Sequence, residues 1–124
     1  MQLLIIKQCI MKVFIQTIIS CFLLASCSLT SNTIIKPKDS FVLGNNQHGS
    51  FKVKLKNVSK NNIEVYQAPI GGGTHSPREV KPNQLVVVKV ARNTALIIDN
   101  KSVDTVSVDL KVTGDIGLSM GYKN

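Results

Sequence analysis

An all-β fold, an antiparallel sandwich of about seven strands, is what this sequence predicts. Three features carry the expectation. From Ser40 onward the apolar residues alternate with polar ones, turn-forming residues separate the alternating runs, and no helical spacing occurs beyond the N-terminal segment. The run Phe51-Lys52-Val53-Lys54-Leu55-Lys56 is the clearest case. Its Phe, Val and Leu fall on one side of a strand and its lysines on the other. Phe41-Val42-Leu43 precedes it. Ile63-Glu64-Val65-Tyr66, Leu85 to Val90, Ala95 to Ile98, Val106 to Val112 and Ile116 to Tyr122 follow. Lys60-Asn61-Asn62, Pro82-Asn83 and Asn100-Lys101-Ser102 supply turns, and Gly114-Asp115 offers a two-residue hairpin.

Seven short strands in about eighty residues match the immunoglobulin-like sandwich in architecture. A small β-barrel is the alternative, because periodicity does not show how the sheets close. The region has neither Trp nor Cys, so the marks of antibody domains are missing. Three parts are expected: an export segment over 1–26, a lipidated N-terminus with a flexible linker over 27–38, and the sandwich over 39–124. The linker reading rests on Ser28 to Lys38, which is rich in Ser, Thr and Asn and contains Pro37.

The export segment has an apolar block from Val13 to Leu24 behind Lys12, too short to span a bilayer and of signal-peptide size. It ends in Leu24-Ala25-Ser26-Cys27. This tetrad resembles the lipobox of bacterial lipoproteins, with an aliphatic residue three before the cysteine and small residues between. The resemblance implies thioether lipidation of Cys27 and cleavage between Ser26 and Cys27. It also implies a membrane held through that N-terminal lipid. Ser28, where an Asp retains some lipoproteins in the inner membrane, points to the periplasmic face of the outer membrane. Met11-Lys12 would make a second export start beside Met1.

Charge and cysteine usage narrow the chemistry. Thirteen of the fifteen cations and all seven acidic residues lie beyond the export segment, which leaves a net charge of +6 there. That sign favours acidic partners. With no Lys/Arg run and few aromatics, nucleic acid is not the expected one. Cys9, Cys21 and Cys27 are the only cysteines, so the folded region has no disulfide, thiolate metal site or cysteine nucleophile.

The candidate contact residues are Lys52, Lys54 and Lys56, a basic stripe, and Tyr66, His75 and Arg78. A solvated face is the better account of the lysines, since lysine also discourages edge pairing. Thirteen residues, Gln67 to Glu79, form a long loop with three glycines and two prolines, suited to an inhibitor or accessory subunit. Gly71-Gly72-Gly73 lacks the spacing and the Lys-Ser/Thr of a phosphate loop. His48 and His75 are read as exposed loop histidines. A metal site or a His75-Ser76 hydrolase would need a carboxylate beside them. The expected function is therefore a membrane-anchored, non-catalytic binding or structural module of the cell envelope, without cofactor or metal, facing an envelope protein or acidic glycan.

Overall fold

The computed structural model describes residues 28–124, so the expected export segment and Cys27 lie outside the described residues. Nine strands occur in this range: β1 (Ser28–Ile35), β2 (Ser40–Leu43), β3 (Phe51–Asn57), β4 (Ile63–Pro69), β5 (His75–Val80), β6 (Leu85–Val90), β7 (Thr94–Asp99), β8 (Val106–Gly114) and β9 (Met120–Tyr122). They form two antiparallel sheets, ordered β1-β8-β3-β6 and β5-β4-β7-β2-β9. The inner faces meet in one core, in which Leu43, Val53, Leu55, Leu96, Ile98 and Val108 are fully enclosed. A sandwich is thus present, and two separate sheets replace the barrel alternative.

The winding differs from the immunoglobulin order, which would set the first two strands side by side in one sheet. Here β1 and β2 belong to different sheets, and β4–β5 is the only consecutive pair that is hydrogen-bonded together. The pairs are nested: β1 with β8, β2 with β7, β3 with β6, β4 with β5. The chain is one long hairpin rolled up, with β3–β8 and β4–β7 as the lateral contacts. This is the strand order of a jelly roll, with β9 added beside β2.

Three expectations change. The expected linker is strand β1, paired with β8 over eight positions from Ser28↔Thr113 to Ile35↔Val106, so Ser28–Ile35 belongs to the folded domain. Its inward face carries Ser31 and Thr33, whose hydroxyls bond each other at 3.1 Å, and this hides the apolar alternation. The expected loop Gln67–Glu79 is mostly strand: β4 runs on to Pro69 and β5 begins at His75, leaving 70–74 as the turn. β5 is an edge strand exposed at every position but Val80, so it has no alternation to read. Finally, Gly114-Asp115 makes no hairpin. Gly114 (φ +95) lies so close to β3 that a Cβ there would stand 2.9 Å from the Ser50 carbonyl oxygen. The chain then crosses to β9, which spans only Met120–Tyr122 of the expected last strand.

Turns at one end of the sandwich come in matched pairs. Ile35-Lys36-Pro37-Lys38-Asp39 joins β1 to β2, and Val80-Lys81-Pro82-Asn83-Gln84 joins β5 to β6. Each closes with the fourth-residue amide on the Lys carbonyl, at 3.2 and 3.0 Å. Each places Pro second and a positive φ third, at Lys38 (φ 61) and Asn83 (φ 63), as in a type II turn. Beside them, at the same end, stand two further matched turns. Asn57 Oδ1 accepts from the Ser59 amide (3.0 Å) and hydroxyl (2.6 Å), while its amide group donates to the Asn61 (2.7 Å) and Val80 (3.1 Å) carbonyls. Asn100 repeats this with Ser102, with Asp104 (2.7 Å) and with the Ile35 carbonyl (3.1 Å). Both asparagines are 0% exposed.

Truncating either asparagine leaves a Ser amide without its acceptor and a carbonyl of the facing turn, that of Val80 or Ile35, without this donor, each costing free energy when left unmade. Asn57→Ala and Asn100→Ala should each lower stability by about 2–3 kcal/mol in urea denaturation, with the slope unchanged. Asn61→Ala, which removes only a surface bond to Asp104, should cost under about 0.5 kcal/mol.

Candidate anion-binding face

Register brings the basic stripe together with lysines that sequence spacing does not connect. The outward positions of β3 are Lys52, Lys54 and Lys56. Lys52 lies opposite Thr113 of β8 and Lys89 of β6; Lys54 lies opposite Lys111 and Val87; Lys56 lies opposite Asp109 and Leu85. Strand β1 completes the rows with Ser28 beside Thr113, Thr30 beside Lys111 and Asn32 beside Asp109. Five lysines therefore share the outer face of the four-stranded sheet, and Asp109 is its one acid among the described residues. Lys89 and Lys111 escaped the sequence reading because each sits alone among apolar neighbours, 33 or more positions from the stripe.

Directly opposed lysines, Lys52 with Lys89 and Lys54 with Lys111, repel one another at cross-strand distance. No counter-charge relieves them: Asp109 accepts from Asn32 Nδ2 at 2.7 Å, and the one ion pair among the described residues is Lys101–Glu64 (3.4 Å), on the other sheet. A shallow depression of about 440 Å³ lies across the face, lined by Thr30, Asn32, Lys54, Lys56, Asp109 and Lys111. Amide and hydroxyl groups on one side and ammonium groups on the other suit sulfate, phosphate or carboxylate groups of an extended acidic surface.

The other candidates fall elsewhere. Tyr66 and Arg78 line a cleft of about 200 Å³ between β5 and β6, together with Gln67, Ser76, Val87 and Lys89. His75 is exposed at the start of β5, and its Nδ1 lies 2.9 Å from Ser76 Oγ, its one hydrogen-bond partner among the described residues. His48 corrects the expectation of an exposed loop residue. It is 9% exposed, with Nε2 3.0 Å from the Gly44 carbonyl and 2.9 Å from that of Thr94, while Nδ1 faces the Gly49 carbonyl. Its ring stacks edge-on against Phe51. His48 thus pins the β2–β3 loop to the rest of the fold. No group of three or more His, Cys, Asp or Glu side chains gathers in metal-binding fashion among the described residues.

Next to His48, Asp115 joins the β2–β3 loop to the segment after β8. Its carboxylate accepts from the Gly49 amide at 2.6 Å and from the Gly117 amide at 2.8 Å. The Gly49 bond first, then that of Gly117, hold its carboxyl below the usual carboxylate range.

No family model matches the chain, and no curated protein matches it. Among solved structures it is similar to the crystal structure of the Yersinia pseudotuberculosis-derived mitogen (YPM), at 16% identity and a TM-score of 0.44. The similarity covers 69% of this chain and 84% of that one.

Two measurements follow from the charges. Lys111→Glu should stabilise the domain by about 0.5 kcal/mol at low salt, because it turns the repulsive cross-strand contact with Lys54 into an attractive one, and the gain should shrink as salt is added. Asp115, with its folded value lowered, stabilises the fold fully above the ordinary carboxylate value, and this contribution is lost as pH falls through the lowered one. The Gly49 and Gly117 amide resonances should accordingly shift only below about pH 3.9, and Asp115→Ala should abolish that transition.

Proposed function

We propose that this chain is a lipid-anchored, non-catalytic binding module of the bacterial cell envelope, whose lysine face lies against an anionic membrane surface. One observation carries the reading: Ser28, the residue after the lipobox-like cysteine, is already paired with Thr113 in strand β1 of the lysine-bearing sheet. A lipid on Cys27 would leave no slack between bilayer and domain. Ser28 lies in the same cross-strand row as Thr113, Lys52 and Lys89. With strands about 4.8 Å apart, Lys52 stands about 10 Å from the anchored end of β1. That is close to the screening length at physiological salt, so the charges act together with the lipid rather than apart from it.

The energetics favour two attachments over one. A lipid anchor fixes the edge and end of the four-stranded sheet, and tilting about that point brings its outer face down onto the head groups. Each lysine near an anionic leaflet contributes about 1 kcal/mol. Repulsion among unpaired lysines, a cost in the isolated domain, is relieved when anionic groups come between them. The periplasmic face of the outer membrane, read from Ser28, is the proposed place. The thirteen-residue plug of an inhibitor finds no support in the short turn 70–74.

The test is mass spectrometry and flotation of the full-length protein from its envelope, beside Cys27→Ser and a Lys52→Ser/Lys54→Ser/Lys111→Ser triple variant. Acylated Cys27 is expected, with release of Cys27→Ser from membranes. On vesicles containing phosphatidylglycerol the triple variant should bind roughly a hundredfold more weakly, the product of three lysines at about 1 kcal/mol each. Intact, unacylated protein in the cytosol would refute the anchor. Equal binding to neutral vesicles would refute the role of the face, and preference for soluble acidic polysaccharide would move its partner from bilayer to glycan.

A further inference from the structure

Four strand edges are open in this sandwich: β1 and β6 on one sheet, β5 and β9 on the other. Open edges invite pairing with foreign strands, and three of these four carry features that discourage it. β5 contains Pro77, a positive φ at Ser76 (57°) and the charges of Arg78 and Glu79. β9 is three residues long. β1 is polar outward at Ser28, Thr30 and Asn32, and the Tyr122 hydroxyl donates to its Ile34 carbonyl at 2.6 Å.

The fourth edge has none of these save the single charge of Lys89. β6 reads Leu85-Val86-Val87-Val88-Lys89-Val90, six residues without Pro or Gly, and Leu85 and Val87 stand 60% and 44% exposed. Its backbone polarity can be assigned. Gln84 O accepts from the Asn57 amide on the β3 side, whereas Lys89 O accepts from Gln67 Nε2 (3.2 Å), which reaches over from the other sheet. Alternate residues of a strand turn their N–H and C=O groups the same way. The main-chain groups of Leu85 and Val87, and the Lys89 amide, therefore face outward from the sheet edge. Beside them opens the cleft containing Tyr66, Ser76 and Arg78.

We propose that β6 is a docking edge, at which an extended segment of a partner protein adds as an antiparallel fifth strand of the lysine-bearing sheet. Charge selects the occupant. Antiparallel pairing brings the N-terminal end of the added strand to Lys89 and Arg78, and its later residues to Val87 and Leu85. The segment is thus acidic first and apolar afterwards, with alternate side chains turned into the cleft. A second copy fits worse, because β6 against β6 sets two five-lysine faces side by side. This inference is independent of the lipid anchor and concerns protein, not membrane.

The experiment uses the full-length protein in a neutral detergent and a fluorescent, end-capped peptide of about seven residues, the length of a short strand. The peptide carries two glutamates at its N-terminal end followed by alternating valine and threonine; a control carries the glutamates at the other end. Anisotropy should show binding that is weaker for the control, and amide shifts should centre on Leu85 to Lys89. Val87→Pro removes an edge N–H without breaking the β3 ladder, and should weaken binding about tenfold, as should Arg78→Glu. Val87→Asp, which leaves the backbone intact, should do the same if the proline variant misfolds. Wild-type affinity in Val87→Pro and Val87→Asp, equal binding of both peptides, or no binding would overturn the proposal. So would a dimer in sedimentation that Val87→Pro dissociates, which would make a second copy the occupant. Loss of vesicle binding in the lysine triple variant leaves this outcome unaffected, so the two readings fail separately.

Discussion

Two asparagine side chains, Asn57 and Asn100, hold the two halves of this domain in register. Each sits fully enclosed, and each uses its whole hydrogen-bonding capacity on main-chain and Ser partners. A buried amide is costly unless paired, so these positions tolerate one geometry and no neighbouring one. They act across the winding of the fold. Asn57, at the end of β3, ties down the Val80 carbonyl at the β5–β6 turn, and Asn100, just after β7, ties down Ile35 at the β1–β2 turn. The main chain repeats the tie, from the Asn57 amide to Gln84 and from the Asn100 amide to Asp39. Apolar packing between sheets is non-directional and would permit sliding. These polar clasps do not.

The same rigidity lets the outer face of one sheet carry charges that work against stability. Opposed lysines cost a few tenths of a kcal/mol per pair, a small debit beside the enclosed Val, Leu and Ile side chains of the inner faces. The opposite sheet has a different character, with Glu64 and Asp99 directly opposed and Val42 beside Ile97. The molecule therefore has one basic broad side and one acidic and apolar broad side. Such polarity orients a small domain at a charged boundary more than it strengthens the fold.

Strand alternation in the sequence was readable wherever one side of a strand meets the core and the other meets water. Phe51 to Lys56 and Val106 to Val112 are such segments, and they lie where expected. It failed at edges. In β1 the inward Ser31 and Thr33 satisfy each other, so an edge strand looks like a linker; in β5 only Val80 is covered, so nothing alternates. Of the clasping asparagines, Asn100 was visible only as a turn residue and Asn57 was not singled out, because burial of an amide depends on which distant carbonyls arrive opposite it. For the candidate face, the spacing of Lys52, Lys54 and Lys56 was sufficient. Lys89 and Lys111 required the strand order. His48 looked like a loop residue because the carbonyls that surround it come from Gly44, Gly49 and Thr94, the last of them far along the chain.

Nested pairing also imposes a chronology. The turn at 70–74 closes the smallest ring, β4 with β5, and each successive pair encloses a longer one, ending with β1 and β8 at Ser28↔Thr113. Ring closure grows dearer with contour length, so zipping from the apex outward is the cheap order of assembly and the first strand made is the last one seated. On the lipid-anchor reading this delay is useful. Acyl transfer and cleavage need the peptide around Cys27 extended and reachable, and a strand still waiting for its neighbour is both. On that reading the locking of β1 onto β8 comes after acylation and cleavage, as the last step of folding.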